Sequence, residues 1–512
     1  MRPTMRLLSV CRIGEALSLS ANTTIPTGPR TARDESTVNR QILIAGIVVV
    51  LLVAAGVLLL IPSPTTPDDG EETGDTTPPV ITQVYPENDT TVFGAVPLSF
   101  TAHDNSSIPR YEIMIDGVLV AVGQSYNWNT RGEEDGSHTI TYRARDSSAN
   151  WGSASVLLTV NNTLPEYEFT GKFKIMTYNI EESGINKDWK EVVKEENPDI
   201  LMLVETGYME DNGNRMLRSA LDEFNAYFSD ELPYVGLAAQ NIAFSTSGEA
   251  IMSRYPVLAF KQIPRVTLDD ATVYDVTHDF IDAVIDINGT EVHFIGNHLK
   301  AGGGDDNQQR RNYENEGIIN YMDALGEVPI VYLGDMNSYS PQDNVTNDSN
   351  LGYGPMTMLV EPDDPVYGEY SSQVHNFTDV YRALNPNETG YTYGHQYEPF
   401  LGRIDYIIVN SFFTDKLINS TVGDTAHAYS GSDHYCVDAW ISWDGTDAVN
   451  LTAPSASTGI VMDLTRPREV NPSSDHDSLS SGTFGLMEHA SALLRDYGRP
   501  VIVATIISPV KH

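Results

Sequence analysis

Cysteine and basic residues are both scarce in this chain of 512 residues. The two cysteines, Cys11 and Cys436, lie on opposite sides of a long apolar segment, so a disulfide framework is excluded. Lysine and arginine together number 31 against 70 aspartates and glutamates, which gives a formal net charge of −39. A chain this acidic lacks the general attraction to nucleic acid or anionic lipid that a basic surface provides.

Long hydrophobic runs are scarce as well, and the exception is residues 42–61, twenty residues without a charge. That length spans a bilayer as a helix. Six arginines precede the run and five acidic residues follow it, so the positive-inside rule predicts a cytoplasmic N-terminus and an extracellular remainder. A cleaved signal peptide is the alternative, but its apolar core would be shorter and followed by a small-residue cleavage site. We therefore predict a retained single-pass anchor in the cell membrane.

Composition divides much of the remaining chain into segments. Residues 1–41 form the predicted cytoplasmic segment, and residues 62–79 form an acidic linker rich in proline and threonine. Residues 445–512 begin with a stretch rich in serine, threonine and proline, and we predict that this tail is largely disordered. Ten Asn-x-Ser/Thr sites follow the apolar run, which fits an exported and glycosylated protein.

Residues 80–163 contain short alternating strands separated by Asp-Gly and Asn-Asp turns, the pattern of an all-β sandwich. The PPVI sequence near the start, the turn at Ile115–Gly117 and the run Asp135–Asn150 resemble bacterial and archaeal immunoglobulin-like surface modules. Two roles stay open for this domain. It is either a spacer or an adhesin that contacts a cell-surface glycan or protein.

Residues 172–444 contain six short segments, most of which end an apolar run with an acid, an amide or a histidine. They are Met176–Glu182, Leu203–Gly207, Gly296–Ala301, Leu333–Ser338, Arg403–Val409 and Ser432–His434. Short apolar runs predict buried strands, and functional groups gather where strands give way to loops. Four or more strands that deliver hard oxygen ligands and two histidines to one rim predict a hydrolytic metal site.

In their order and spacing, these segments resemble the endonuclease/exonuclease/phosphatase superfamily. Its members include DNase I-like nucleases, abasic-site endonucleases, neutral sphingomyelinases and inositol-polyphosphate phosphatases. The resemblance implies an α/β four-layer sandwich of the DNase I type, in which two packed β-sheets are flanked by helices. It also implies a metal-dependent phosphoric ester hydrolase, with Mg²⁺ or Mn²⁺ as the cofactor.

The resemblance implies a set of metal ligands, and hard cations prefer carboxylate and amide oxygens. Glu205 ends the run PDILMLVE and stands where the family has its metal-binding glutamate. Asn179 and Glu181 follow the strand KIMTY and are assigned to the metal site, although Glu181 replaces the aspartate that the family commonly has. Asp433 of the SDH segment is expected to assist the metal or the nucleophile.

The resemblance also implies catalytic roles. Asp335 is expected to act on the nucleophilic water or the leaving group, while Asn337 donates to the phosphate. His434 is the expected general base, because imidazole titrates near neutrality and is oriented by a carboxylate, here that of Asp405. His298 matches the second histidine of the DNase I-like members, which faces the leaving side.

Three basic residues follow His298 and are candidates for clamping substrate phosphates. They are Lys300, Arg310 and Arg311. A solvated helix face is the alternative interpretation for them. Glu249 is a candidate for orienting His298, as a glutamate does in some family members.

The substrate is less well determined than the chemistry. A sphingomyelinase or inositol-phosphate type of phosphoesterase fits membrane tethering. An abasic-site endonuclease is disfavoured, because Leu401 and Gly402 stand where those enzymes place an aromatic residue. A non-enzymatic surface protein with a relic fold is disfavoured, since the site residues are present. We expect a membrane-anchored extracellular nuclease acting on DNA or RNA, although the net charge weakens attraction to a nucleic-acid backbone.

Overall fold

The computed structural model describes residues 74–181, 188–207, 209, 211–240, 248–343, 351–394, 401–423, 425–449 and 451. The chain divides into two compact units, Met1–Thr77 and Pro78–His512, and every described strand and helix belongs to the second. The predicted anchor at residues 42–61 and most of the predicted tail lie outside the described residues. Among the helices of the described part, none has the length and apolar character needed to cross a membrane.

The second unit begins with a β-sandwich. Its strands are β1 Val80–Tyr85, β2 Thr91–Val92, β3 Ala95–His103, β4 Arg110–Ile115, β5 Val118–Ala121, β6 Ser125–Asn129, β7 Gly136–Arg145 and β8 Trp151–Val160. One sheet has the order β1-β3-β6 and the other β2-β8-β7-β4-β5. Side chains alternate between the two faces of a strand, so Tyr142 and Leu158 point inward and pack with Leu98 and Phe100. The predicted immunoglobulin-like region is therefore confirmed as a β-rich sandwich.

Two larger sheets follow and pack face to face. Their strands are β9 Lys172–Asn179, β10 Ile200–Val204, β11 Val235–Ala238, β12 Glu249–Ser253, β13 Val257–Thr267, β14 Val273–Ile287, β15 Thr290–His298, β16 Ile330–Asp335, β17 Phe377–Asp379, β18 Asp405–Asn410, β19 Leu417–Val422 and β20 Val437–Ser442. The six-stranded sheets have the orders β11-β12-β10-β9-β20-β19 and β13-β14-β15-β16-β18-β17. Ile175 and Met202 from the first sheet pack against Phe294 and Leu333 from the second, which forms the core between them.

Helices cover the outer faces of these two sheets. They are α1 Trp189–Glu196, α2 Asp211–Tyr227, α3 Asp305–Leu325, α4 Gly354–Val360, α5 Val380–Leu384 and α6 Ala428–Gly431, with 3₁₀ turns at Thr130–Gly132 and Gly368–Tyr370. Helices α1 and α2 bury Trp189 and Phe224 on the first sheet, and α3 buries Ile318 and Met322 on the second. The order helix, sheet, sheet, helix confirms the predicted DNase I-like α/β architecture.

The strand register determines which polar residues meet. β9 and β10 run parallel, as do β15 and β16, and His298 lies directly beside Asp335 in the ladder. β18 runs antiparallel to β16, so Asp405, its first residue, lies opposite Asp335, the last residue of β16. The central strands therefore deliver three polar side chains to one point.

Candidate active site

Strand ends from both sheets converge at one edge of the gap between the sheets. Each apolar run is followed by a polar residue. A buried polar or charged side chain needs hydrogen-bond or ionic partners, and these are available where the strand ends meet. The residues brought together are Asn179, Glu205, His298, Asp335, Asp405 and His434. All six were predicted as site residues from the sequence.

Glu205, His298 and Asp335 form the first of two clusters of possible metal ligands. One ligand atom of each lies within 4.8 Å of those of the other two. His298 Nε2 is 3.5 Å from Glu205 Oε1 and 3.9 Å from Asp335 Oδ2. The Glu205 side chain is 24% exposed and that of Asp335 is 2% exposed, so the cluster opens to solvent on the Glu205 side.

Asp335, Asp405 and His434 form the second cluster, so Asp335 belongs to both. His434 Nδ1 donates to Asp405 Oδ2 at 2.8 Å, because an ionised carboxylate can only accept. The other ring nitrogen, Nε2, lies 3.9 Å from Asp335 Oδ2. Ser432 fixes this turn against β9, since its hydroxyl accepts the His434 N–H and donates to the Asn179 carbonyl.

The amide of Asn179 lies between the two clusters. Its Nδ2 donates to Glu205 Oε1 at 3.0 Å and to Asp335 Oδ2 at 3.1 Å, while its Oδ1 accepts the Glu181 N–H. A metal ligand would use Oδ1, which here faces the main chain. In this geometry Asn179 holds the two carboxylates in place through its donor nitrogen.

Burial and crowding shift the pKa values of the site. Burial, reinforced by the charge of Asp405, raises the pKa of Asp335 from its ordinary 3.8 to about 8. Burial alone would lower the pKa of His434, but the carboxylates of Asp405 and Asp335 outweigh it and raise the pKa to about 10. Burial lowers the pKa of His298. Carboxylates crowded in a buried site are stabilised by a divalent cation, so the oxygen donors of Glu205 and Asp335 fit a hard metal ion.

Asp335 and Asn337 form a tight turn at the end of β16. The Asn337 N–H donates to Asp335 Oδ1 at 2.8 Å in an Asx-turn, which leaves Oδ2 facing the two histidines. Asn337 has a φ of +45°, and its Nδ2 donates to the Leu299 carbonyl at 3.1 Å. The expected phosphate donor therefore lies at the site and also holds the segment after His298.

Two further acids, Glu181 and Asp433, lie next to the site. Burial raises the pKa of Asp433, and the charge of Glu181 acts in the same direction, so the two carboxylates are neighbours. Neither belongs to a cluster of possible metal ligands formed by the described residues. Their assignment to the metal site stays a prediction.

The three basic residues after His298 have different environments. Arg311 is fully buried, and its guanidinium donates to the carbonyls of Lys300, Gly302 and Leu351 at 2.6–2.7 Å. The expectation of a phosphate clamp was wrong for Arg311, because main-chain acceptors occupy its guanidinium. Arg310 is exposed and Lys300 is half-buried, with its pKa lowered by burial, so these two stay candidates for substrate contact.

Two residues at the site were not predicted from the sequence. The His278 ring stacks on that of His298 with centroids 4.0 Å apart, and the ring of Tyr393 lies 4.8 Å from that of His434. His278 lies inside a strand, and Tyr393 lies far from the SDH segment, so no motif identified them. Glu249, the candidate for orienting His298, is the first residue of β12, where it is buried and pairs with Val204, and its role stays a prediction.

Residues 176–434 match the family model described as the Endonuclease/Exonuclease/phosphatase family, which covers just over half of the chain. The chain belongs to this family. It is therefore a metal-dependent phosphoric ester hydrolase that requires a divalent ion. Residues 79–141 match the model of a bacterial Ig domain, in agreement with the sandwich of β1–β8.

Solved structures align with about half of the chain. A 3′ phosphatase from Neisseria bound to product DNA hairpin is 20% identical, with 53% of this chain and 100% of that chain covered and a TM-score of 0.39. An AP endonuclease from Archaeoglobus fulgidus is 18% identical, with 52% and 98% covered and a TM-score of 0.36. A truncated TDP2 from Caenorhabditis elegans is 16% identical, with 53% and 97% covered and a TM-score of 0.35. A comparison with curated protein sequences gives no match.

Proposed function

We propose that this family member is a Mg²⁺-dependent phosphodiesterase that hydrolyses nucleic acid. The observation that carries the proposal is the position of Asp335, whose Oδ2 lies 3.9 Å from a histidine nitrogen on each of two sides. Of the two histidines beside this carboxylate, one can take a proton from an attacking water and the other can donate a hydrogen bond to a leaving oxygen. A nucleotide diester has a poor leaving group and needs both contacts.

His434 is the proposed base. Asp405 binds its Nδ1–H, so Nε2 faces the interior of the site and can accept a proton from water. Asp405 then stabilises the imidazolium that forms, as a carboxylate partner does for a catalytic histidine. His298, on the other side of Asp335, is proposed to contact the leaving oxygen. The Asn337 amide is proposed to donate to a phosphoryl oxygen.

Glu205 and Asp335 are the carboxylates that would hold Mg²⁺, with Glu181 and Asp433 as further acids nearby. A bound Mg²⁺ would neutralise the phosphoryl oxygens and offset the carboxylate charge that raises the pKa of His434. The cluster is most exposed at Glu205, which is where a phosphate diester can reach it. Lys300 and Arg310 are proposed to supply positive charge for substrate contact in this strongly acidic protein.

The test compares substrates for the full-length protein with Mg²⁺: DNA, RNA, sphingomyelin and inositol phosphates. We expect polynucleotide cleavage that chelation abolishes and Mg²⁺ or Mn²⁺ restores. Glu205→Gln should keep the fold and weaken metal binding, whereas Glu195→Gln, at a surface pair with His427, should change neither. Faster turnover of sphingomyelin or an inositol phosphate than of any polynucleotide would contradict the substrate. Activity that survives chelation would contradict the metal.

We also propose that residues 42–61 anchor the enzyme in the cell membrane with the catalytic domain outside. The uncharged run and the arginines that precede it support this orientation. Protease added to intact cells should then degrade the catalytic domain. Protection of that domain until the cells are lysed would contradict the orientation.

A further inference from the structure

The immunoglobulin-like domain packs its three-stranded sheet against the catalytic domain. Asn129 Oδ1 accepts the Phe260 N–H at 3.0 Å, and its Nδ2 donates to the Phe260 carbonyl at 3.3 Å. Ala95 belongs to the core between the two catalytic sheets. The backbones approach so closely that a Cβ at Gly94 would lie 2.1 Å from the Val257 carbonyl oxygen. These contacts make the domain a fixed part of the catalytic unit and not a freely moving spacer.

One contact of this interface begins a chain of hydrogen bonds that leads inward. Gln240, which follows β11, donates its Nε2 to the Ser125 carbonyl of β6 at 2.7 Å. The Gln240 N–H donates to Gln262 Oε1 at 2.9 Å, and Gln262 Nε2 donates back to the Gln240 carbonyl. Gln262 Nε2 also donates to Asp279 Oδ2 at 2.6 Å. Gln240, Gln262 and Asp279 are called the interdomain chain below.

The interdomain chain ends in a bulge of β14. Ile263 of β13 pairs with Phe280, yet Arg265 pairs with Asp275, so two steps along β13 match five steps along β14. The extra residues fall at positions 276–279. A bulge disrupts the regular ladder and re-aims side chains, and bulges are over-represented next to active sites.

The bulge places His278 against His298. The two rings stack with an angle of 13° between their planes, and His278 Nδ1 donates to the His298 carbonyl at 2.8 Å. His278 and its neighbour Asp279 are both buried. Close packing means that a displacement of Asp279 is passed to His278 and then to the ring that it supports.

We propose that the immunoglobulin-like domain holds His298 in its catalytic position through the interdomain chain. The members of the interdomain chain are positioning residues in this proposal, because they act through His278 on the ring of His298. The inference rests on the proposed phosphodiesterase function, in which His298 contacts the leaving oxygen. Small displacements of a catalytic group lower turnover strongly, because reaction requires close alignment of the reacting atoms.

The first experiment compares two interface variants of the full chain, Gln240→Leu and Asn129→Leu. Gln240→Leu removes the bond to Ser125, whereas Asn129→Leu removes two bonds at the same interface that do not lead to the bulge. We expect Gln240→Leu to lower kcat on an oligonucleotide by about 3- to 30-fold with KM little changed, the range typical of coupling through contacts. Asn129→Leu should leave kcat within about twofold. Equal kcat for both variants would overturn the proposal.

The second experiment tests whether the effect passes through His298. In a His298→Ala background, Gln240→Leu should cause no further loss of kcat, because the residue that it positions is gone. If the two substitutions lower kcat by the product of their separate effects, Gln240 does not act through His298, and the proposal is overturned. The pair Gln262→Glu with Asp279→Asn should restore part of the activity lost in Gln262→Glu alone. It rebuilds the hydrogen bond between residues 262 and 279 with donor and acceptor exchanged, while the bond from residue 262 to the Gln240 carbonyl stays lost.

A third measurement separates this inference from the proposed function. Hydrogen exchange of the β14 bulge should be faster in Gln240→Leu than in Asn129→Leu, whatever the substrate of the enzyme. If the wild-type protein cleaves no phosphodiester, the proposed function fails while this comparison still stands. Unchanged exchange at residues 276–279 in Gln240→Leu would overturn the interdomain chain itself.

Discussion

The protein contains two buried clusters of charged side chains, one that includes Arg403 and one that includes Asp405, two residues later. The two clusters differ in which groups compensate the charge of their carboxylates. Arg403 donates to both oxygens of Asp379, at 3.0 and 2.6 Å, and to Asp343 at 2.6 Å. Arg382 also binds Asp343, at 2.7 Å. In this arginine cluster, which consists of Arg382, Arg403, Asp343 and Asp379, each carboxylate meets a guanidinium.

The second cluster is the active-site cluster, which includes Asp405. Its carboxylates are compensated less completely than those of the arginine cluster. It consists of Asn179, Glu205, His298, Asp335, Asp405 and His434. The partners of these three carboxylates include two histidines, the Asn179 amide and the Asn337 N–H. Burial alone would lower the pKa of Arg403, but Asp379 outweighs it and keeps the guanidinium charged, whereas the pKa of Asp335 rises to about 8.

The difference shows what each cluster does. A buried ion pair with several hydrogen bonds fixes local structure, and breaking it is costly. Perturbed acids that gather at strand ends mark a functional site, since a cation or a substrate is needed to stabilise their charged forms. Arg403 therefore fixes the start of β18, and this places Asp405, two residues later, beside His434.

The largest effect expected is the loss of turnover in His434→Ala. General acid–base groups contribute about 10²- to 10⁴-fold, so polynucleotide cleavage should fall by that factor while the fold is retained. His427→Ala is the matched control, because that histidine is exposed and pairs with Glu195 on the surface. Turnover near the wild-type rate in His434→Ala would remove the base assignment.

Asp379→Asn should break the arginine cluster and cost stability. It removes the carboxylate that accepts from Arg403 through both of its oxygens, and breaking buried ion pairs costs about 3–5 kcal/mol. Urea denaturation measures the loss in free energy of unfolding. Asp415→Asn, at an exposed pair with Lys416, should change stability by less than about 1 kcal/mol. A similarly small loss in Asp379→Asn would show that the arginine cluster does not fix the fold.

The sequence predicted the two sheets and the main site residues because strand-end motifs are local. An apolar run followed by Glu205, Asp335 or His298 identifies both the strand and the residue that ends it. Arg311 was misjudged, since its burial depends on how α3 packs against the loop at Leu351. His278 was missed because a bulge in strand register, set by tertiary pairing, turns it toward the site.

His298→Ala should distinguish two roles within the active-site cluster. If His298 assists the leaving oxygen, the substitution should lower the turnover of an oligonucleotide about tenfold or more beyond its effect on a nitrophenyl phosphodiester. Nitrophenolate is a good leaving group and needs no proton. Single-turnover rates on both substrates measure this ratio. Equal losses on the two substrates would leave His298 as a phosphate contact without an acid role.

The smallest expected effect tests the difference between the two clusters most directly. Asp335→Asn should stabilise the protein in the presence of a chelator. The folded-state pKa of Asp335 is raised from 3.8 to about 8. Between those pH values the folded protein holds a proton that the unfolded chain has released, so the free energy of unfolding falls as pH rises. Asparagine does not titrate, so in the variant the contribution of residue 335 to the free energy of unfolding does not depend on pH.

At pH 8 in EDTA, Asp335→Asn should therefore be more stable than the wild type by about 1 kcal/mol or more, as substitutions of strained functional groups often are. The advantage should shrink as pH falls toward 5, where the wild-type carboxyl is protonated and neutral in the folded state. Urea denaturation at pH 5, 6.5 and 8 measures how this difference in the free energy of unfolding changes with pH.

His434 contributes a further fall in stability between about pH 6.5 and 10, since its folded-state pKa is raised to about 10. The same isosteric change at Asp379 should destabilise at pH 8, because it removes a partner of the buried Arg403 guanidinium, so the two substitutions have opposite signs at that pH. If Asp335→Asn is destabilising there, Asp335 is a structural acid like Asp379, and the distinction between the two clusters fails.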